Sequence, residues 1–158
     1  MDQTPKYTMR LDLAPLVVFT IHGDMSLDDI DAMFESWRTV FARKERFVSL
    51  SDARGAKSMP SAKERARVAE GIRSIESLSV RYSLGNATIV SSPLIRGALT
   101  AIEWIQKPKV ASAYFGSMIE GCDWCMGRLS GAGLPTTPGI AAFRAGLVDK
   151  GARRTGAA

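Results

Sequence analysis

A Cys-x-x-Cys spacing, Cys122-Asp123-Trp124-Cys125, is the first place in this sequence where chemistry could reside. Such a spacing serves thiol–disulfide exchange or supplies half of a zinc site. A redox pair needs a thiol whose pKa is lowered at a helix N-terminus. Here Cys122 falls about a turn inside a segment whose apolar positions Ile119, Cys122, Cys125, Met126 and Leu129 trace the inner face of a helix. With one histidine and no second Cys-x-x-Cys, too few zinc ligands remain, so no metal is expected and the cysteines read as small buried hydrophobes. The single histidine, His22, ends an apolar run, and any general-base mechanism would have to use it or a carboxylate. Ser91, Ser92 and Ser112 lack the surroundings of a nucleophile elbow, and neither a phosphate-binding loop nor a dinucleotide fingerprint is present. No constellation supplies nucleophile, base and stabiliser together, so the expectation is a non-enzymatic protein without a cofactor.

The remaining candidates stand where strands would end. Asp52-Ala53-Arg54-Gly55 follows the run Phe47-Val48-Ser49-Leu50-Ser51, and Arg96 lies just beyond the run Ala87 to Val90. Open α/β sheets bind ligands outside the carboxyl ends of their strands. Asp52, Arg54, Gly55 and Arg96 are therefore expected to frame a crevice in which Asp52 and Arg96 approach one another, the alternative being a structural ion pair. Ser58 and Ser61 precede a helix, where free amides and the helix dipole favour a phosphate. Each reads as a candidate phosphoacceptor or, more plainly, as a helix cap.

The elements that must position these residues follow from periodicity. Tyr7, Met9 and Leu11 alternate with Thr8, Arg10 and Asp12, which predicts a half-buried strand, and Leu16 to Ile21 predicts a second, joined to it through Leu13-Ala14-Pro15 as a hairpin. Ser26 with Asp29 forms a capping box ahead of Leu27, Ile30, Phe34, Trp37 and Phe41 at helical spacing, with Met33 and Val40 widening the stripe. Phe47 to Ser51 predicts a third strand. Ser61 with Glu64, after Pro60, opens a second helix through Val68, Ile72 and Ile75 that should end before Gly85. Ala87 to Val90, Leu94 to Ile105 and Val110 to Phe115 read as strand, helix and strand, and Ser117 caps a fourth helix. The order β-β-α-β-α-β-α-β-α predicts an α/β sandwich: a mixed five-stranded sheet, mostly parallel after its first hairpin, flanked by helices. Residues 5–130 form the domain. Residues 131–158, rich in Gly, Pro, Ala and basic side chains, read as a linker, a weak helical stretch around Ile140 to Leu147 and a mobile tail.

A chain of 158 residues with 46% hydrophobic content can bury a core of its own. The net charge of +5 invites a nucleic-acid reading. Its distribution argues against a specific one: the last fifteen residues set Arg144, Lys150, Arg153 and Arg154 against Asp149 alone, and the basic surplus of residues 43–81 is interspersed with acids as on a solvated helix surface. No apolar run reaches the roughly 18–20 residues of a membrane span, and Met1 to Arg10 lacks the apolar core of a signal peptide, so a cytoplasmic location is expected.

The element order, the Gly23 to Leu27 start of the first helix, the strand ending at Asp52, the Asn86 to Ile105 unit and the closing Phe115 to Cys125 segment with Gly121-Cys122-Asp123-Trp124-Cys125 resemble the STAS fold of bacterial anti-sigma-factor antagonists, and more closely its SpoIIAA-like, SEC14-related branch. The resemblance covers roughly residues 5–130. It implies a switch in which a serine after the third strand, within an Asp-Ser-Ser/Thr-Gly pattern, is phosphorylated and controls docking to a kinase or anti-sigma factor. At those positions this chain has Asp52-Ala53-Arg54-Gly55, with Arg54 where the phosphoacceptor would stand. A permanent positive charge there would favour partners bearing carboxylates or phosphates. The leading expectation is a non-catalytic, protein-interaction or regulatory module lacking the family phosphoserine, contacting its partner through the first helix and the Asp52 to Ser61 loop; homodimerisation stays open. The alternative is a binder of a small apolar molecule, in which Met33, Phe34, Trp37 and Trp104 line a cavity.

Overall fold

The computed structural model describes residues 4–155, with side chains through Val148. Five strands, β1 (Tyr7–Arg10), β2 (Leu16–Ile21), β3 (Phe47–Asp52), β4 (Ser83–Ile89) and β5 (Ser112–Phe115), form one sheet in the order 1-2-3-4-5. The β1–β2 pair is antiparallel and every other pairing is parallel, as the sequence predicts. Helices α1 (Leu27–Phe41), α2 (Ala62–Ser74), α3 (Glu76–Tyr82), α4 (Pro93–Ile105), α5 (Met118–Gly131) and α6 (Pro138–Thr155) complete the α/β fold. Parallel strands added always on the same side, each by a right-handed crossover, place all the crossover helices on one face. Accordingly α1, α2, α3 and α4 share one face, and α5 and α6 cover the other.

The helix starts are set by capping. Ser26 Oγ accepts from Asp29 N–H at 3.2 Å while the Asp29 carboxylate accepts from Ser26 N–H at 2.8 Å. Ser61 and Glu64 repeat the arrangement at 3.1 and 2.8 Å. Each cap satisfies donors that a helix start otherwise leaves unpaired.

The two faces pack differently because their side chains differ in size. Beneath α5, the strands present Val48, Leu50, Ala87 and Ile89, and the helix answers with Gly121, Cys122, Cys125 and Leu129, all fully or nearly fully buried. Small residues let α5 lie directly on β3 and β4. On the opposite face α1 carries Met33, Phe34, Trp37 and Phe41, which hold the helical layer away from the strands.

Three boundaries depart from the periodicity. The expected second helix is broken at Ile75 into α2 and α3, where Ile75 leaves helical geometry and turns its side chain into the core. The helix ends before Gly85 as expected, but β4 begins at Ser83 and not at Ala87, so Gly85 lies inside the strand at φ +145°, where the register with β3 shifts. A residue with a side chain is strained at that φ, and a Cβ there would meet the Trp124 ring at 2.7 Å. The domain does not close at residue 130. Residues 138–155 form α6, Ile140 is fully buried in the α5-side core, and Leu134, Phe143 and Leu147 pack against it. Arg144 clamps α6 to α5 through two hydrogen bonds to the Asp123 carboxylate, 2.8 and 3.1 Å. The mobile tail is thus replaced, through Leu147, by a docked helix. The side chains of Lys150, Arg153 and Arg154 and the whole of residues 156–158 lie outside the described part.

Candidate functional site

A cavity of about 410 Å³ lies between the sheet and the layer of α1, α2 and α4. Its origin is a mismatch of side-chain size across that interface. Over β1, β2 and the start of β3 the space is filled by an aromatic chain, Tyr7–Phe19–Trp37–Phe47–Phe41, with successive ring centroids 5.4–6.3 Å apart. Further along, β3, β4 and β5 line the cavity with Ser49, Ser51, Ser83, Asn86, Thr88 and Ser112, while Tyr114 of β5 is engaged outside it by Arg96 and Glu103 of α4. These short polar side chains do not reach Met33, Phe34, Val68, Ile72, Leu99 and Ile102 on the helices above, so the volume stays open. Gly71 on α2 is part of the same fit: a Cβ there would fall 2.2 Å from the Phe34 ring.

The floor of the cavity is a hydrogen-bonded ladder. Asn86 Oδ1 accepts from Ser49 Oγ at 2.7 Å and from Ser51 Oγ at 2.9 Å, and Asn86 Nδ2 donates to Thr88 Oγ1 at 2.9 Å. Polar groups removed from water are costly unless paired, and here they pair with one another across β3 and β4. Roof and walls are largely apolar, with Asp24, Glu64, Glu76 and Lys109 the charged members of the lining among the described residues, while the floor is neutral and polar.

The loop between β3 and α2 forms part of the rim through Ala53, Ala56, Ser58, Met59 and Pro60. Asp24 fixes it: one carboxylate oxygen accepts from the backbone N–H of Lys57 at 2.8 Å and of Ser58 at 3.1 Å, which holds the carboxyl below its ordinary pKa. Gly55 fixes it from below, because a Cβ at this position would stand 1.9 Å from the Ile21 carbonyl oxygen. Residue 55 must be glycine for the loop to lie against β2.

The structure brings Asp52 and Arg54 together and takes Arg96 elsewhere. Arg54 Nε and Nη2 donate to the two Asp52 oxygens at 2.9 and 2.8 Å, and the Arg54 backbone N–H donates at 3.1 Å. Burial alone would raise the Asp52 pKa; the Arg54 hydrogen bonds and charge outweigh it and leave the carboxyl below its usual range. By strand alternation Asp52 shares the face of Val48 and Leu50. Arg96 instead lies on the α4 side, its guanidinium 3.8 Å from the centroid of the Tyr114 ring. The phenol of Tyr114 donates to Glu103. The expected Asp52–Arg96 approach is therefore not made: the shorter reach from Arg54, two residues away, claims the carboxylate first.

Ser61 is the cap of α2, and Ser58 is an exposed rim residue whose backbone N–H is held by Asp24. His22 hydrogen-bonds Thr8 Oγ1 through Nε2 at 2.9 Å. Of the aromatic and methionine residues expected around a cavity, Met33, Phe34 and Trp37 line it. Trp104 does not; it is 85% exposed near the end of α4. Sequence reasoning missed the floor, although Ser49 and Ser51 on β3 and Asn86 and Thr88 on β4 alternate with apolar residues in strands covered on both faces, and that pattern was available to be read.

Cys122 and Cys125 are free and buried against the sheet, and burial pushes their thiols up to about 11 and about 12. Both are protonated at neutral pH and inert. Labelling with a thiol-specific disulfide reagent at pH 8 is expected to be slow in the native protein and rapid for both cysteines in denaturant; fast native labelling would contradict the burial. Because these values are raised above the ordinary 9.0, their contribution to stability is full below pH 9 and is lost as pH rises through about 11 for Cys122 and about 12 for Cys125. Among the described residues no group of His, Cys, Asp and Glu could hold a metal ion, and no helix is long and apolar enough to cross a membrane.

A scan against protein-family models gives no match for this chain, and a search of the curated proteins gives none either.

Proposed function

We propose that this chain is a non-catalytic binding domain that holds a small, largely apolar molecule between its sheet and the α1–α2–α4 layer. The observation that carries this reading is the cavity of about 410 Å³ walled by Met33, Phe34, Trp37, Val68, Ile72 and Leu99. Its size falls within the roughly 300–1,000 Å³ of small-molecule sites, and such sites share its composition, mostly apolar with a few convergent polar groups. The mixed five-stranded sheet and the element order also support a SpoIIAA-like, SEC14-related assignment within the STAS fold, a branch whose resemblance implies ligand binding.

Ala98 lies on α4 and lines the cavity. Titration with Nile red, a neutral fluorophore that brightens in apolar surroundings, is expected to give saturable one-to-one binding by the native protein. Ala98→Phe, which projects a ring into the space, should abolish that binding while leaving the far-UV circular dichroism unchanged. Absence of saturable binding, or equal binding by a folded Ala98→Phe, would refute the reading.

A second reading, the interaction module, is favoured by one observation. Trp104 is 85% exposed, with Leu94 and Ile105 of the same helix about half exposed. Trp104 and Ile105 are adjacent at the end of α4, and an exposed apolar pair of this size is a candidate contact with another protein. Affinity capture from the source cell should then depend on Trp104, or on the charge of Arg54 if the Asp52 to Ser61 loop makes the contact. Capture of the same partner by Trp104→Ala and Arg54→Glu would exclude both surfaces.

A further inference from the structure

We infer that the cavity selects a neutral amphiphile, an apolar body carrying one hydroxyl or carbonyl group, and that the Asn86–Thr88 ladder on the sheet holds that group. The inference rests on the cavity being a binding site and adds the chemical class of its occupant. It follows from where the polarity lies and from how the charges around it are already engaged.

The floor residues are uncharged, and their mutual hydrogen bonds do not exhaust them. Thr88 Oγ1 receives the Asn86 amide at 2.9 Å, which leaves its own O–H to be donated. Ser51 Oγ meets Asn86 Oδ1 at 2.9 Å, which leaves its lone pairs to accept. An alcohol can both donate and accept between these two hydroxyls, and a carbonyl can accept from Thr88. A bare hydrocarbon would cover the ladder without pairing it, which forfeits hydrogen bonds that water otherwise makes.

A charged head is disfavoured because the ionic groups of the lining already have partners. Asp24 holds the backbone of Lys57 and Ser58, and Glu64 holds the N–H of Ser61. Glu76 accepts from Lys109 at 2.9 Å and from the Gln106 amide at 2.8 Å. A carboxylate brought to the floor would therefore meet no cation there, and an unpaired charge in an apolar site is expelled or neutralised. Among the described residues Lys109 is the cation of the lining, and a carboxylate would have to take it from Glu76.

The test is displacement of Nile red by decanol, decanoate and decane from the native protein, from Thr88→Val and from Ser51→Ala. Thr88→Val keeps the shape of the floor and removes its hydroxyl; circular dichroism confirms that each variant is folded. Decanol is expected to compete more effectively than decanoate. Thr88→Val should weaken decanol about fivefold, the worth of one neutral hydrogen bond, and leave decane unchanged. If Thr88→Val does not fold, the same comparison is made with Ser51→Ala. Preference for decanoate, or equal loss of decanol and decane, would overturn the head-group inference while the cavity reading stands. Failure of Nile red and of all three competitors to bind would overturn the cavity reading itself.

Discussion

Gly121→Val is expected to destabilise the domain by about 3 kcal/mol, whereas Gly127→Ala on the same helix is expected to stabilise it by about 0.5–1 kcal/mol. Both glycines sit in α5, so intrinsic helix propensity treats them alike. Their surroundings do not. A Cβ at Gly121 would fall 2.5 Å from Ile89 Cδ1 and 2.8 Å from Leu50 Cδ1, inside a core with no space to receive it. A Cβ at Gly127 would meet nothing within 4 Å. Valine at 121 adds branching that must either push Ile89 and Leu50 off their rotamers or lift α5 from β3 and β4. Urea titrations of the two variants against the native protein check the pair. Equal shifts of midpoint would mean that α5 does not pack on the sheet through this glycine.

Ile140→Ala is expected to cost about 2–5 kcal/mol, the range for emptying a fully buried aliphatic site. The number matters because Ile140 belongs to a segment whose composition reads as a tail. If α6 were a passive appendage, truncating one of its side chains would shift the urea midpoint by less than about 0.5 kcal/mol, as at an ordinary surface site. The structure instead places Ile140 against the core that includes Leu13, Leu16 and Leu129, with Arg144 tying the helix to Asp123. A large loss would make α6 a structural part of the domain. A negligible one would return it to the status of a tail.

Much of the fold was legible because its local signals agree with one another. Ser26 with Asp29 and Ser61 with Glu64 each carry both halves of a capping box, and the helix stripes that follow point to the core. The parallel sheet followed from strands separated by lengths that only a crossover helix fills. What escaped had non-local causes. The Trp124 ring that bars a side chain at Gly85 comes some forty residues later, and Ile140 is buried with Leu13, Leu16 and Leu129 from distant parts of the chain. The candidate site was harder still. Of the residues expected to frame a crevice, none lines the cavity: Asp52 pairs with Arg54 instead of Arg96, and Arg96 stacks on Tyr114 of β5. A cavity is a volume that no residue fills, so it shows only when large side chains on α1 are set against serines and threonines on β3, β4 and β5. Met33, Phe34 and Trp37 look the same in sequence whether they complete a core or line a pocket.

Each strand of this sheet pairs with its neighbour in sequence. The sheet can therefore grow in one direction along the chain, each parallel strand joining the one before it after its crossover helix has formed. The two faces are not covered at the same time during synthesis. The face over the cavity gains α1, α2 and α4 as the strands between them emerge, whereas the opposite face, with Leu16, Val18, Val48, Leu50, Ala87 and Ile89, is covered among the described residues by α5 and α6, which follow the last strand. For the whole interval before those two helices leave the ribosome, the nascent protein displays this flat aliphatic surface, the kind that invites aggregation and that chaperones bind.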